Sequence, residues 1–298
     1  MDEGFQLSHI AKIFEKGAQK VAALQDIDVT IEPGLVYGIL GSNGAGKTTL
    51  LKILAGQLSP SKGTVLYNGQ DIQKKQRQVE QVCFVRENNP YLLGYTAQNL
   101  LQSVRMNYPM WNYELEQTMR ERFSIPLKKP LTSLSKGQQA AVYITVGLCS
   151  RAPLTIFDEA HAGLDVPSRM YFYQTMMEEQ EIHPRTILVS THFMEELSGI
   201  FQRILVLDAG RVALNGAMDH ILENAFTITG NYEVARDLLS GKKILQTETM
   251  GRRFARIHVF DSISVQERRK LEEAGLDVES MSLQAWFLHL MGGSKNEA

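Results

Sequence analysis

A glycine-rich stretch, GSNGAGKT at residues 41–48, contains the residue types that bind phosphate groups. Its glycines let the backbone curl, so that successive N–H groups point inward at phosphate oxygens. The helix predicted after it adds the positive end of its dipole, Lys47 can reach the β- and γ-phosphates, and the Thr48 hydroxyl can bind Mg²⁺. A chance glycine turn is the weaker interpretation, because a strand-like run precedes the stretch and a helical run follows it. The predicted phosphate-binding residues are Gly41, Ser42, Asn43, Gly44, Ala45, Gly46, Lys47, Thr48 and Thr49.

Two apolar runs further along the chain end in residues that could do chemistry. Asp158 and Glu159 end the run LTIFDE, and His192 follows the run TILVS. Parallel strands deliver their C-terminal ends to one edge of a sheet, so these side chains are expected to meet the phosphates there. An Asp at that edge can hold Mg²⁺, a Glu can accept a proton from an attacking water, and His192 can contact the γ-phosphate. Without the phosphate loop, N-capping carboxylates and a structural histidine would be the simpler interpretation.

A second stretch with the look of a phosphate-binding turn is LSKGQ at residues 134–138. Serine and glycine precede a predicted helix there, and the free N–H groups at a helix start suit an anion. The chain already has a complete phosphate loop far upstream, and its own nucleotide has no obvious reach to the second turn. The two stretches therefore raise the question of whose phosphate the second one binds.

Composition and charge exclude several classes of protein. The 298 residues are 44% hydrophobic and 21% charged, and the net charge of −2 gives no overall attraction to nucleic acid or anionic lipid. Two cysteines, Cys83 and Cys149, cannot form a disulfide framework or a zinc cluster, which favours a reducing compartment. The acidic N-terminus lacks a signal-peptide core, and the apolar run at 140–149 is short enough for a buried core helix. We expect a cytoplasmic protein that reaches the inner face of a cell membrane only through a partner and binds no nucleic acid.

The order of predicted elements favours an α/β fold. Antiparallel strands (FQLSHI, LQDIDVTIEP and TVLYNGQDI) surround a strand, glycine loop and helix that begin at LVYGIL. Residues from about 88 to 150 have helical periodicity, and the strand–helix alternation that follows indicates a largely parallel sheet. We predict a nucleotide-binding domain at 1–216, with the helical subdomain at about 88–150, and a small accessory α+β domain at 217–298.

The accessory domain has a recognisable order of elements but no recognisable chemistry. Its segments follow the order β-α-β-β-α-β-α, which matches a small ferredoxin-like unit. It shows no metal-ligand spacing and no pairing of a nucleophile with a base. We expect a structural extension, with dimer support or small-ligand sensing as the next interpretation.

Five motifs, GSNGAGKTT, LSKGQ, LTIFDE, AGLD and STH, occur in the order and spacing of the ABC-type ATPases. The chain resembles this family over roughly residues 5–216. The resemblance implies a P-loop NTPase with a RecA-like core, an antiparallel β subdomain and a helical subdomain, and it implies ATP and Mg²⁺ as cofactors. YPMW…RERFSIPLKKPLTSLSKGQ and HPRTILVSTHFMEEL look like the ATPase subunits of bacterial exporter-type systems, whose membrane subunits are separate chains.

The resemblance also answers the question of the second turn. In this family two ATPase subunits pair head to tail, and each LSGGQ-like turn covers the ATP held by the other subunit's phosphate loop. Asp165 in AGLD matches a loop that links the two sites. Phe14 matches an aromatic residue that stacks on adenine, although core packing explains a lone Phe almost as well. The turn residues implied to bind the partner's nucleotide are Ser135, Gly137 and Gln138.

Three positions depart from the family pattern. Lys136 occupies the third place of the signature turn LSKGQ (residues 134–138), where lysine would be strained if a positive φ were required. Glu87 replaces the usual Gln after the strand VCFV; it is a candidate Mg²⁺ ligand and catalytic residue, but an ionised Glu cannot donate a hydrogen bond. Ala160 replaces a proline and is followed by His161, which we expect at a surface or interface.

Three functions fit these motifs to different degrees. The first is an ATP-hydrolysing subunit that drives an ABC exporter with separate multi-spanning permease subunits, as a homodimer or as a heterodimer with a second ATPase. The alternative is a soluble ABC ATPase that acts as a regulatory switch, but such proteins often contain two cassettes or a long coiled coil. A phosphotransferase would leave LSKGQ and STH unexplained.

Overall fold

The chain folds into two units in a computed structural model that describes residues 4–16, 19–72, 81–87, 94–251 and 253–293. One unit consists of Met1–His192 and Gly199–Asn215, and the other of Phe193–Ser198 and Gly216–Ala298. The predicted start of the helical subdomain, at about residue 88, lies outside the described residues.

Four strands form an antiparallel sheet in the first unit: β1 (Phe5–Lys16), β2 (Gln19–Ile31), β4 (Lys62–Tyr67) and β5 (Gln70–Asp71). They are hydrogen-bonded in the order β2-β1-β4-β5. Alternate residues of β2 (Ile27, Val29 and Ile31) are buried, as the period of a half-buried strand requires. Asn68 and Gly69 have φ angles of 48° and 72°, and this pair of positive values suits the tight turn that joins the antiparallel strands β4 and β5.

Six strands form the central sheet: β3 (Val36–Gly41), β6 (Val82–Arg86), β7 (Leu154–Asp158), β8 (Thr186–Ser190), β9 (Arg203–Asp208) and β10 (Arg211–Ala217). Their order is β10-β9-β3-β8-β7-β6, and the neighbours from β9 to β6 are parallel. Every residue of β7 and β8 is buried, which explains why their sequences are mostly apolar and do not alternate with exposed polar residues. Because the strands are parallel, Gly41, Asp158 and Ser190 end neighbouring strands at one edge of the sheet.

The described residues of the first unit also contain five α-helices. Helix α4 is buried from Ala140 to Ser150, so the predicted buried core helix at 140–149 is confirmed. Cys83 and Cys149 are both free and buried, and burial raises the pKa of each thiol. The helices are α1 (Lys47–Leu54), α2 (Ala97–Arg105), α3 (Tyr113–Arg122), α4 (Lys136–Ser150) and α5 (Val166–Ile182).

The second unit is built on a four-stranded antiparallel sheet. Its elements are α6 (Met194–Leu197), α7 (Met218–Asn224), β11 (Ala225–Asn231), α8 (Tyr232–Leu238), β12 (Ile244–Met250), β13 (Phe254–Phe260), α9 (Val265–Glu273), β14 (Asp277–Ser280) and α10 (Leu283–Gly293). The strand order β12-β13-β11-β14, with two crossover helices, is ferredoxin-like, as the sequence predicts. Ala255, Ile257 and Val259 on one face of β13 share a core with Ala235 of α8 and Leu271 of α9. The predicted fold class is confirmed.

Candidate functional site

The phosphate loop connects β3 to α1 and surrounds a cavity of about 270 Å³. The Lys47 ammonium group donates hydrogen bonds to the carbonyl oxygens of Gly41, at 2.7 Å, and Ser42, at 3.2 Å. Burial lowers the pKa of Lys47, while the carboxylates of Glu159 and Asp158 act in the opposite direction. The loop therefore holds a lysine close to two acidic groups before any phosphate binds. The cavity is lined by Ala23, Asn43, Gly44, Ala45, Gly46, Lys47, Thr48, Thr49, Glu159 and Ser190.

Gly46 is required by both conformation and space, because its φ is 103° and a Cβ atom would lie 2.6 Å from the Ala23 carbonyl oxygen. Gly56, after α1, is the matched control: its φ is 67°, but a Cβ atom there meets nothing within 4 Å. We expect Gly56→Ala to cost about 1–2 kcal/mol of stability. Gly46→Ala should lower the free energy of unfolding by about 1–3 kcal/mol more, because its Cβ overlaps the Ala23 carbonyl oxygen. The same change should also weaken ATP binding. Denaturant unfolding and nucleotide titration measure both effects, and equal losses in the two variants would contradict the argument.

The carboxylates at the end of β7 are placed differently from each other. Asp158 is 5% exposed, and its Oδ1 has no hydrogen-bond partner among the described residues. Glu159 has a φ of 53°, its N–H donates to the Ser190 carbonyl oxygen at 3.1 Å, and its side chain lines the phosphate-loop cavity. The simpler interpretation of these two residues as helix caps is wrong, because α5 begins at Val166 and is capped by Asp165. A buried carboxylate oxygen without a partner is instead suited to a hard cation such as Mg²⁺.

His192 and Glu159 come together across the ends of β8 and β7. The Nδ1 atom of His192 lies 2.7 Å from Glu159 Oε2, and an N–H at that position donates to the carboxylate. The Glu159 side chain is 28% exposed, so water reaches it. The contact fixes the direction of a carboxylate that faces the phosphate loop, which is the arrangement needed to orient a general base.

Glu87 lies beside Asp158, and Phe14 lies close to the phosphate loop. The Glu87 N–H donates to the Asp158 carbonyl oxygen at 3.4 Å, so the position after β6 adjoins the predicted metal ligand. Phe14 is 42% exposed, which makes core packing the wrong interpretation of this side chain. Phe14 lines a cavity of about 440 Å³ together with Thr49, which also lines the phosphate-loop cavity. An aromatic ring beside the phosphate loop is placed to stack on a base.

The signature turn forms the start of α4. Ser135 Oγ accepts the Gln138 N–H at 3.2 Å and Gln138 Oε1 accepts the Ser135 N–H at 3.2 Å, which is a capping box. Lys136 is the first helical residue and is exposed, and it is not among the described residues with positive φ. The position therefore does not require a positive φ, and the strain that such a requirement would cause does not arise.

The AGLD segment lies against this turn. A Cβ atom at Gly163 would meet the Lys136 carbonyl oxygen at 2.8 Å, so only glycine allows the two loops to approach this closely. The Ser168 hydroxyl and the Ser168 N–H, which donates to Asp165 Oδ1 at 2.9 Å, hold the pKa of that carboxyl below its ordinary value. Both loops line a third cavity, also of about 440 Å³, that shares no lining residue with the phosphate-loop cavity. The lining residues of this signature cavity include Ser135, Gly137, Gln138, Gly163 and Asp165.

The expectation that His161 lies at a surface is wrong. Its side chain is fully buried, its Nε2 lies 2.9 Å from Thr191 Oγ1, and its ring stacks on Phe172 with centroids 5.9 Å apart. Thr191 directly precedes His192, so His161 ties the loop after β7 to the loop after β8. In the sequence, the Thr191 hydroxyl within the STH motif is the one signal that could have indicated this link between the two loops.

Truncation of His161 should destabilise the first unit. His161→Ala leaves a cavity against Phe172 and removes the hydrogen bond to Thr191, for which we expect a loss of about 3 kcal/mol. His183→Ala is the control, because His183 is a half-buried residue at the end of α5, and it should cost less than about 1 kcal/mol. Denaturant unfolding of both variants measures the difference. Equal stability of the two variants would show that His161 does not link the two loops.

Comparison with known proteins identifies the family. The sequence profile of the ABC transporter family matches residues 24–162. The ABC transporter ATP-binding protein NatA of Bacillus subtilis strain 168 is 31% identical over 243 residues, which cover 79% of this chain and 98% of NatA. This chain belongs to the ABC transporter family. Another ABC relative, the methionine import ATP-binding protein MetN of Corynebacterium jeikeium strain K411, is 29% identical over 289 residues, 90% of this chain and 77% of MetN.

Solved ABC structures have the same fold. An ATP-binding subunit of an ABC transporter superimposes with a TM-score of 0.63 at 24% identity and covers 73% of this chain and 91% of its own. A dimeric ATP-binding cassette, solved in a post-hydrolysis state with ADP and Pi, gives a TM-score of 0.62 at 22% identity and covers 72% and 98%. ATP binding and ATPase activity follow from family membership, and the site described above is where the sequence motifs of that activity lie. Among the described residues, we find no helix with the length and apolar character needed to cross a bilayer.

Proposed function

We propose that this ATPase works as a head-to-tail pair, in which ATP is held between the phosphate loop of one subunit and the signature turn of the other. The observation that carries this proposal is the separation of the two phosphate-binding features within one chain. Lys47 lines one cavity and Ser135 lines another, and the two cavities have no residue in common. One chain therefore offers two half-sites, and a second copy or a close relative supplies the complementary halves.

The signature half-site is built to accept an anion. Ser135 caps α4, so its hydroxyl and the N–H groups of the first turn lie at the positive end of the helix. Its exposed position lets it face a partner's γ-phosphate. ATP then contacts both subunits, and loss of the γ-phosphate on hydrolysis removes the contact, which lets the pair separate. A cassette of the same fold is described as dimeric in a post-hydrolysis state with ADP and Pi, and this supports the proposal.

Hydrolysis is assigned to the residues at the strand ends. Glu159 is the general base that accepts a proton from the attacking water, and His192 orients that carboxylate through the 2.7 Å contact. Lys47 neutralises charge on the β- and γ-phosphates. Thr48, Asp158 and Glu87 would hold Mg²⁺, which when bound offsets the charge of the phosphate oxygens. The orphaned Oδ1 of Asp158 is the structural feature that fits this ion.

We propose that ATP hydrolysis drives transport through separate permease subunits, and that the direction of this transport is export. The stretch before LSKGQ and the stretch around STH support this direction, because they look like exporter ATPases. The relative MetN is named as an import protein, so the direction of transport has to be measured and is not inferred from relatives. The proposed location is the cytoplasmic face of the membrane, reached through the permease.

Purification from the native cell tests the transport assignment. The chain, carrying a small tag and extracted in mild detergent, is expected to bring a multi-spanning protein with it. The Lys47→Ala variant should retain that partner, because the phosphate loop is not used to bind the permease. A chain recovered only from the soluble fraction, as a dimer without a membrane partner, would favour the regulatory-switch alternative. Uptake into inverted vesicles then reports the direction.

A further inference from the structure

Two histidines and a glutamate meet in the second unit, outside the residues used for ATP. Glu248 on β12, His258 on β13 and His289 on α10 each place one ligand atom within 4.8 Å of the other two. Gln246 lies opposite His258 in the β12–β13 ladder, so Glu248, two residues further on, shares a face of the sheet with His258. Helix α10 packs against β12 and brings His289 to them. We propose that Glu248, His258 and His289 bind a divalent transition-metal ion of the zinc type.

The strongest evidence for this metal site is the buried side chain of His258. His258 is 5% exposed, and its Nε2 atom has no hydrogen-bond partner among the described residues. The nearest acidic atom in its described ion pair, Glu248 Oε1, lies 3.8 Å away, which is beyond hydrogen-bond distance. Burying a polar nitrogen without a partner costs free energy, and a bound ion is one of the few things that would satisfy it.

The other nitrogen of each imidazole is already held by an oxygen atom. His258 Nδ1 lies 3.2 Å from Thr227 Oγ1, and His289 Nδ1 lies 2.7 Å from Gln246 Oε1. The amide oxygen of Gln246 can only accept, so His289 carries its proton on Nδ1 and keeps the Nε2 lone pair for a ligand bond. Metal-binding histidines are oriented in this way by an oxygen behind the ring.

The donor set selects the kind of ion. Two imidazoles and one carboxylate are typical ligands of Zn²⁺, and the three leave a fourth position for water or a small ligand. Mg²⁺ and Ca²⁺ prefer oxygen ligands throughout, so they are poor candidates. Burial lowers the pKa of both His258 and His289, which keeps the imidazoles in the neutral form that binds metals. Arg256, opposite Glu248 on β13, is a positive charge that weakens binding without occupying the site.

Metal binding needs only a small contraction of the cluster. Ligand atoms around tetrahedral Zn²⁺ lie roughly 3.3 Å apart, against a spread of up to 4.8 Å here. The two imidazole rings are stacked with centroids 3.6 Å apart. The Glu248 side chain is 42% exposed and can move toward the two histidines. The ion would then fasten α10 to the sheet that it covers.

Zinc titration of the full chain, without an affinity tag and after chelator treatment, tests the proposal. Calorimetry with ZnCl₂ should show one tight site per chain. His289→Asn and Glu248→Gln should each weaken it by more than about 100-fold, since loss of even the oxygen behind a ligand costs 10–100-fold. Both side chains are less buried than His258, so these variants are expected to fold, which circular dichroism can check. Zinc should raise the melting temperature of the unchanged chain and not that of His289→Asn.

Three exposed residues of the first unit provide the matched control. His9, Asp26 and Asp28 are the other described residues placed closely enough to hold an ion, and all three are exposed. His9→Asn should leave the tight zinc site unchanged. Absorption of Co²⁺ bound in place of zinc should show a four-coordinate ion that disappears in His289→Asn. The proposal is overturned if the chain binds no zinc tightly, if both cluster variants bind as the unchanged chain does, or if only His9→Asn loses the site.

Discussion

Replacement of Glu159 by glutamine is expected to lower ATP turnover by about 10²–10⁴-fold while ATP still binds. The amide cannot accept a proton from water, but its oxygen can still accept the hydrogen bond from His192 Nδ1, so the local geometry is kept. Phosphate release under saturating ATP measures turnover, and titration with a fluorescent nucleotide measures binding.

Glu279→Gln is the matched control for this variant. Glu279 is an exposed residue of β14 in the second unit, and the same change there should leave turnover and binding as they were. If Glu159→Gln hydrolyses ATP at the normal rate, Glu159 is not the base. If it loses ATP binding instead, the residue has a structural role at the loop rather than the catalytic one.

Mixing two inactive variants is expected to restore activity, because each composite site draws Lys47 and Ser135 from different chains. Lys47→Ala removes the lysine of the phosphate loop. Ser135→Asp keeps a capping side chain at the start of α4 but sets a negative charge against the γ-phosphate. In a mixed pair one site carries both defects and the other carries none. An equal mixture should therefore recover about a quarter of normal activity, since half of the pairs are mixed and each has one intact site.

A second capping serine separates this effect from a general loss of helix stability. Ser264 caps α9 in the same capping-box geometry as Ser135, with Glu267 as its partner. Ser264→Asp should leave ATPase activity unchanged. A mixture of Lys47→Ala and Ser135→Asp that stays inactive would mean that one chain supplies both residues to its own nucleotide.

The phosphate loop, the carboxylate pair and the capped signature turn could be predicted because their chemistry is local. The capping serine at 135 bonds to Gln138, three residues away, and Gly44 and Gly46 shape the loop through their own positive φ angles. The contact between His192 and Glu159 follows from one further step, since parallel strands end at a common edge. The ferredoxin-like order of strands and helices could be predicted for the same reason, because each of these elements has its own hydrophobic period.

Residues positioned by tertiary packing could not be predicted in this way. His161 is buried because α5 places Phe172 and Tyr173 against it, and nothing adjacent in the sequence indicates this. Helix α7 was missed because its seven residues lack a side-chain cap. The cluster of Glu248, His258 and His289 joins two strands and a helix, so its spacing matches no short metal-binding motif. The expectation that the second unit has no metal-ligand arrangement therefore conflicts with our proposal.

Small-angle scattering of the Glu159→Gln variant tests the central claim, that ATP is held between two chains, most directly. With ATP and Mg²⁺ the particle mass should be twice that of the 33.5 kDa chain, and with ADP it should fall back to one chain. Adding Ser135→Asp to the same variant should prevent the doubling. A single chain in the presence of saturating ATP, or a dimer that forms equally well with Ser135→Asp, would contradict the account.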